Sequence, residues 1–130
     1  NIRSEIWLKL WGNLTFNPIS GLTGSTLLDI CQHPLSRELA ANMMGEAQQV
    51  AEKLGISFRV SLQQRIAGAE KIGHHKTSML QDIEAGRAPD IDALVGSVVE
   101  LGRLTQTPTP HIDTAYALVK LLAQSMGKSS

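Results

Sequence analysis

A strongly apolar segment near the start of the chain carries three polar residues at a helical spacing. Lys9, Asn13 and Asn17 stand at positions i, i+4 and i+8, so a helix with 3.6 residues per turn places them on one face. The other faces are apolar and carry Ile6, Trp7, Leu8, Leu10, Trp11, Leu14 and Phe16. Because a helix that is apolar nearly all round is usually buried, the segment predicts a buried helix with a polar stripe.

The polar stripe has two interpretations. A solvated helix face is the ordinary explanation for such residues. However, the apolar residues already occupy the other faces, and burying a cation and two amides without partners costs free energy. We therefore favour the interpretation that Lys9, Asn13 and Asn17 face a cavity or a partner domain, and that this helix is one wall of a polar pocket.

Helical patterns continue through almost the whole sequence. The first helix is predicted over 3–17, because Pro18 should end or kink it. The stretch 19–26 contains two glycines and small polar residues and is predicted to be a loop. Further helices are expected over 26–30, from Pro34 until Gly55 stops the helix, over 61–73, over 78–85, from Pro89 to about Leu101, and after the TPTP sequence at 107–110. The sum predicts an all-α domain of six or seven helices.

The composition limits the kinds of partner and the compartment. Twelve basic and twelve acidic residues give a formal charge of zero, which does not support a nucleic-acid-binding surface or a polybasic membrane patch. No apolar run approaches the roughly 20 residues of a membrane span, and no signal peptide is visible. Cys31 is the sole cysteine, so an intrachain disulfide is excluded and a cytoplasmic location is the simpler expectation.

Two further residues that carry chemistry have ordinary structural explanations. Ser78 forms a capping-box pattern with Gln81 and is predicted to be a helix N-cap. Asp90 follows Pro89 at a predicted helix start, where an acid suits the helix dipole. On residue type alone, both are interpreted as structural.

The sequence contains no metal or nucleotide signature. His74, His75 and Lys76 are interpreted as exposed loop residues near an anionic ligand, since adjacent histidines on a helix cannot both face one metal and no cysteine or carboxylate stands at ligand spacing. We therefore expect no metal site. There is no G-x-G-x-x-G and no P-loop in the sequence.

Two motifs, taken in order, resemble the C-terminal domain of ketopantoate reductases (2-dehydropantoate 2-reductases). The first is K-x-x-x-N-x-x-x-N-P, matched from Lys9 to Pro18. The second is S-M-L-Q-D followed by an acid-Ile-Asp triplet, matched at 78–82 and 90–92. The resemblance covers essentially the whole chain.

The resemblance implies that residues 1–130 form a single helical domain for substrate binding and dimerisation, similar to the C-terminal domain of 6-phosphogluconate dehydrogenases. It also implies an N-terminal Rossmann domain, absent from this chain, that carries most of the binding site for NADPH. The implied partners are a small 2-oxo acid and that Rossmann domain, with a homodimer as one expected assembly. This chain alone is expected to be inactive.

The family chemistry implies roles for five residues. Hydride adds to a ketone carbon of ketopantoate, and Lys9 is the implied general acid for the carbonyl oxygen. Asn13 and Asn17 would orient substrate groups and hold Lys9 in place. Ser78 would hydrogen-bond the substrate carboxylate, and the acid at position 90 would bind a substrate hydroxyl.

One position departs from the family pattern, and it leaves alternatives open. The family usually has Glu where this chain has Asp90, so the carboxylate is drawn back by about 1.5 Å. One alternative is therefore a paralogous reductase of another 2-oxo acid. A second, from a different class, is a non-catalytic helical interaction domain, although the joint presence of Lys9, Asn13, Asn17 and Ser78 argues against it.

Overall fold

A computed structural model of the chain describes residues 2–128, and this part contains helices and no strand. Its α-helices are α1 (Ile2–Thr23), α2 (Leu27–Gln32), α3 (Pro34–Lys53), α4 (Leu62–Ile72), α5 (Ser78–Glu84), α6 (Ser97–Leu104) and α7 (Pro110–Lys128). A π-helical turn, Asp92–Gly96, runs directly into α6. The prediction of an all-α domain with six or seven helices is confirmed. No helix in this described range is both long and apolar enough to cross a lipid bilayer.

The central helix of the fold is α1, which packs against α2, α3, α5, α7 and the π-helical turn. Trp11 lies at its middle and is fully buried. The indole N–H of Trp11 donates to the carbonyl of Met44 in α3 at 2.8 Å, and the indole stacks on Phe58 with 4.2 Å between ring centroids. Because a buried indole N–H needs a partner, this hydrogen bond favours one position of α1 relative to α3.

Small and aliphatic side chains form the core around α1. The residues that are fully buried outside α1 include Ala40, Met43, Met44, Ala47, Val50, Ile66, Val95, Val98, Ile112 and Val119. The low aromatic content of 4% predicts such a core. Flexible methionines in α3 fill the irregular space beneath α1.

The first helix does not end before Pro18, so that prediction is wrong. Pro18 lies inside α1, which continues to Thr23, and most of the stretch 19–26 is therefore helix rather than loop. The chain turns at Gly24, whose φ is +73°, a conformation that glycine adopts without steric cost.

Tertiary packing explains why α1 continues through the proline. A proline in a helix interior costs about 3 kcal/mol. Beyond Pro18, Ile19 is buried, which contributes about 1.5–3 kcal/mol. Gly21 lies so close to Met79 and Ile83 of α5 that a Cβ there would approach their side chains to 3.0–3.2 Å. The burial of this last turn therefore offsets the local cost of Pro18.

Several predicted helix ends are confirmed. Pro34 occupies the first turn of α3, and His33 before it caps the helix by accepting a hydrogen bond from the backbone N–H of Ser36. Gly55 has a φ of +78° directly after the C-cap of α3. The short helix expected over 26–30 corresponds to α2. These helix ends depend on the local backbone preferences of proline and glycine, whose positions can be read from the sequence.

The N-cap of α5 is Thr77, so the prediction that Ser78 caps this helix is wrong. The hydroxyl of Thr77 accepts a hydrogen bond from the backbone N–H of Leu80 at 3.2 Å. It also shares a hydrogen bond with the hydroxyl of Ser20, which is fully buried in α1. The contact with Ser20 makes Thr77 the cap, and Ser78 becomes the first helical residue.

The helix expected to open at Pro89 and Asp90 begins two residues later, so this prediction is also wrong. The carbonyl of Ile91 accepts hydrogen bonds from the N–H groups of Val95 at 2.9 Å and Gly96 at 3.2 Å. This pattern widens the first turn into a π-helical one. Ile91 is buried in the core, and Asp90 precedes the helix as an exposed residue.

A carboxylate from α3 holds the start of α7. Glu46 accepts hydrogen bonds from the backbone N–H groups of His111 at 3.1 Å and Ile112 at 3.0 Å. It also contacts His111 Nδ1 at 2.6 Å, and its side chain is only 12% exposed. The carboxylate thus satisfies N–H groups that the first turn of a helix leaves without partners.

We expect Glu46→Ala to lower the free energy of unfolding by about 2 kcal/mol, because hydrogen bonds to a charged acceptor are lost at a partly buried helix end. Urea denaturation followed by circular dichroism measures this. Glu38→Ala, at an exposed position on the same helix, should stay within about 0.5 kcal/mol of the wild type. Equal effects of the two variants would contradict the capping role.

We expect Thr77→Val to cost about 1–2 kcal/mol of stability, because it removes the N-cap hydroxyl of α5 while keeping the side-chain volume. Thr77→Ser should retain most of the stability. The matched control is Thr114→Val, since the Thr114 hydroxyl is exposed and bonds only the carbonyl of Pro110 in its own helix. A thermal melt in which Thr77→Val equals the wild type would rule out this cap.

Candidate substrate-binding cavity

The polar stripe of α1 borders a cavity of about 300 Å³. The residues that line it are Gly12, Asn13, Phe16 and Asn17 from α1, Leu27 from α2, Arg65, Ala69 and Ile72 from α4, and His75, Thr77 and Ser78 around the start of α5. No carboxylate is among these lining residues. Asn13 and Asn17 thus line a pocket, as their spacing predicts, whereas Lys9 does not; α4 and α5 supply the opposite walls.

Asn13 and Asn17 lie on the α1 side of the cavity. Both are half-buried, and they stand one helical turn apart, which is about 6 Å along the axis. Their amides can each donate and accept hydrogen bonds. The structure thus brings together two of the residues that the sequence placed on one face.

Ser78 lies on the opposite wall, at the first residue of α5. Since Thr77 serves as the cap, the hydroxyl of Ser78 makes no hydrogen bond to any residue within 2–128, and it is exposed. The Ser20–Thr77 contact fixes the end of α5 against α1. This arrangement presents the Ser78 hydroxyl to the same cavity as the two asparagines.

Lys9 stands one turn before Asn13 on the polar face and is exposed. It is not among the residues that line the cavity. Its ammonium group makes no hydrogen bond or ion pair to the described part of the chain. The structure thus leaves Lys9 on the same helix face as Asn13 but outside the lining of this cavity.

Asp90 is not brought into this cavity. It lines a second cavity of about 590 Å³ between the 89–92 segment and α7. In that cavity, Asp92 accepts hydrogen bonds from the hydroxyl of Tyr116 and from Lys120 Nζ. These two bonds, that of Tyr116 first, lower the pKa of Asp92. The structure therefore groups Asn13, Asn17 and Ser78, and places Asp90 elsewhere.

Sequence reasoning missed Arg65, the one arginine of the cavity lining. Its guanidinium lies over Gly12 of α1 so closely that a Cβ at Gly12 would be 1.9 Å from Nη2. Burial lowers the pKa of Arg65, although an arginine remains charged in proteins. A glycine in the interior of a helix, three residues after Lys9, is the signal that could have indicated a close approach at this point.

The histidine pair lies in the loop before α5, where both residues and Lys76 are exposed as predicted. His75 lines the cavity, and its carbonyl accepts a hydrogen bond from the backbone N–H of Leu27 at 3.1 Å. Lys76 is paired with Glu84 at 3.0 Å. Within 2–128, no three His, Cys, Asp or Glu side chains are grouped as a metal would require.

Comparisons with known proteins identify the family of this chain. The family model described as ketopantoate reductase PanE/ApbA C terminal matches residues 1–123. A 2-dehydropantoate 2-reductase of Mesorhizobium japonicum is 58% identical over 127 residues, which are 98% of this chain and 39% of the relative. The chain thus spans about two fifths of the length of that relative.

Solved structures give the same result for the fold. A 2-dehydropantoate 2-reductase from Methylococcus capsulatus is 34% identical with a TM-score of 0.89, over 97% of this chain and 44% of that one. D-mandelate dehydrogenase, in a ternary structure with NADH and anilino(oxo)acetate, is 25% identical with a TM-score of 0.87, over 98% of this chain and 54% of that one. From the match over residues 1–123, we conclude that the chain belongs to the family of ketopantoate reductase C-terminal domains.

Proposed function

We propose that this chain is the substrate-binding domain of an NADPH-dependent enzyme that reduces 2-dehydropantoate to pantoate. The observation that carries the proposal is the cavity in which Asn13 and Asn17 face Ser78, with Lys9 one turn away on the same face of α1. This constellation occurs in a chain of the ketopantoate reductase family.

The central chemical role is assigned to Lys9. A nicotinamide cofactor, when bound, would supply hydride to the ketone carbon, so that negative charge would grow on the carbonyl oxygen. Lys9 donates a proton from Nζ to that oxygen. Its lack of a partner among the described residues supports this role, because the ammonium group is free to meet a substrate.

The other residues orient the substrate. The amides of Asn13 and Asn17 donate to and accept from its hydroxyl and carbonyl groups, and the Ser78 hydroxyl donates to its carboxylate. Holding the reacting groups in place is itself a large part of catalysis. For Asp90, the proposed role of binding a substrate hydroxyl rests on the family resemblance alone, since its side chain lines the second cavity.

The proposal includes a second domain. The relative from Mesorhizobium japonicum is more than twice as long as the matched region, and this chain contains no glycine-rich dinucleotide motif. We therefore propose that an N-terminal Rossmann domain holds most of the NADPH and closes over the cavity.

A cytoplasmic location is proposed because the lone cysteine suits a reducing compartment. A homodimer would cover exposed apolar residues such as Ile2 and Ile6 of α1.

A second candidate function is the reduction of a different 2-oxo acid. Asp90 replaces the usual Glu and lies outside the cavity of the asparagines. D-mandelate dehydrogenase, a similar structure, is described with NADH and anilino(oxo)acetate. These two observations favour a related reductase that has kept Lys9 and changed its substrate or its cofactor.

We expect Lys9→Ala in the full-length parent protein to lower kcat by about 100- to 10,000-fold, since a positioned general acid contributes that much. The measurement is NADPH oxidation with ketopantoate. The matched control is Lys71→Ala, an exposed lysine in the last turn of α4, which should leave kcat unchanged. Unaltered turnover in Lys9→Ala would refute the assignment of Lys9 as the general acid. If the folded wild-type parent reduced none of the 2-oxo acids, a non-catalytic interaction domain would be favoured instead.

If the enzyme is adapted to the shorter side chain of aspartate at position 90, we expect Asp90→Glu to lower kcat/KM for ketopantoate by about 10- to 100-fold. Displacements of about 1 Å in an active site have effects of this size. Steady-state kinetics with ketopantoate and a panel of other 2-oxo acids measures the change. A gain of ketopantoate activity without loss of activity on another acid would instead support the second candidate.

A further inference from the structure

Arg65 is a half-buried cation that no group in the described part of the chain neutralises. Its guanidinium makes no hydrogen bond and no ion pair with the residues that the structure describes, and no carboxylate lines the cavity around it. Arg37, which is also half-buried, shows the usual arrangement: its Nη1 lies 3.0 Å from the Cys31 carbonyl and 3.0 Å from Glu70 Oε1. A charge that is partly removed from water without a partner is unfavourable unless a ligand completes it.

The fold makes room for this charge at the expense of helix stability. Gly12 stands in the interior of α1, where glycine is less favourable than alanine. An added Cβ would lie 1.9 Å from Arg65 Nη2 and 2.6 Å from Cζ. The missing side chain thus forms a notch that holds the guanidinium against α1, in the cavity that Asn13 also lines.

We propose that Arg65 binds the carboxylate of the 2-oxo acid substrate through its two-pronged guanidinium, an inference that rests on the proposed function. The ligand class follows from the charge and geometry of the cavity. The lining holds one arginine, two amides and a free hydroxyl, which together suit a small monoanion with further polar groups. A guanidinium matches a carboxylate with two parallel hydrogen bonds.

This assignment separates the tasks of two cations, Lys9 of α1 and Arg65 of α4. Arg65 holds the carboxylate together with the Ser78 hydroxyl, and it remains protonated throughout the reaction. Lys9 can then give up its proton to the neighbouring carbonyl oxygen without also holding the substrate charge. Arg65 would act on substrate binding, whereas Lys9 would act on the chemical step.

The test uses the full-length parent protein, NADPH, ketopantoate and the corresponding neutral 2-oxo amide, which lacks the carboxylate charge. We expect Arg65→Met to raise KM for ketopantoate by about 10- to 100-fold, the effect of losing hydrogen bonds to a charged group. The KM for the amide and for NADPH should stay unchanged. The KM of Arg65→Lys for ketopantoate should lie between those of the wild type and Arg65→Met. Lysine keeps the positive charge but loses the two parallel hydrogen-bond donors of the guanidinium.

Gly12→Ala provides a second variant that leaves the arginine in place. The added methyl group should push the flexible guanidinium out of its notch and raise KM for ketopantoate in the same direction. Gly68→Ala is the matched control, since Gly68 lies in the interior of α4 with no atom within 4 Å of an added Cβ. That control should leave KM unchanged and raise the midpoint of thermal unfolding slightly.

The outcomes distinguish the two proposals. If the wild type reduces ketopantoate and Arg65→Met alters KM equally for the acid and the amide, or alters only KM for NADPH, the carboxylate assignment is wrong and the proposed function stands. If the wild type reduces no 2-oxo acid, the proposed function fails. Calorimetric titration of ketopantoate into folded wild type and Arg65→Met then decides the assignment, because equal affinities would overturn it.

Discussion

The continuity of α1 through Pro18 is the constraint on which the rest of the structure depends. Only an unbroken helix carries Trp11 into the core beneath α3 and also reaches Ser20, whose hydroxyl meets Thr77. The first contact joins α1 to α3, and the second fixes the start of α5. Because both contacts belong to one rigid helix, the spacing between core and cavity is set by helix geometry rather than by loops.

The cavity follows from how the faces of α1 are distributed. The apolar faces bury Leu14, Phe16 and Ile19, and this burial leaves the stripe with Asn13 and Asn17 at a gap between α4 and α5. Polar side chains in this gap come from three elements: Asn13 and Asn17 from α1, Arg65 from α4 and Ser78 from the start of α5. Gly12 has no side chain and leaves the space that the Arg65 guanidinium occupies. The same helix thus contributes two amides and the room for a cation.

Local signals in the sequence predicted much of the fold. The helical class, the first-turn proline of α3 and the stop at Gly55 all depend on backbone preferences within a few residues. The predictions failed where distant contacts decide. Pro18 stays helical because the turn beyond it is buried, and Thr77 replaces Ser78 as the cap because Ser20 lies beside it. The start at Asp92 depends on how the chain enters the core at Ile91.

The sequence by itself determined that Lys9, Asn13 and Asn17 share one face of a helix, because residue spacing and helix periodicity are sufficient for that result. Family membership was also readable from the order of two motifs. Only the tertiary structure decided what faces this stripe. It brought Ser78 and Arg65 across from α5 and α4, and it left Asp90 in another cavity, because the packing of helices depends on the fit of whole surfaces. No local pattern in the sequence encodes that fit.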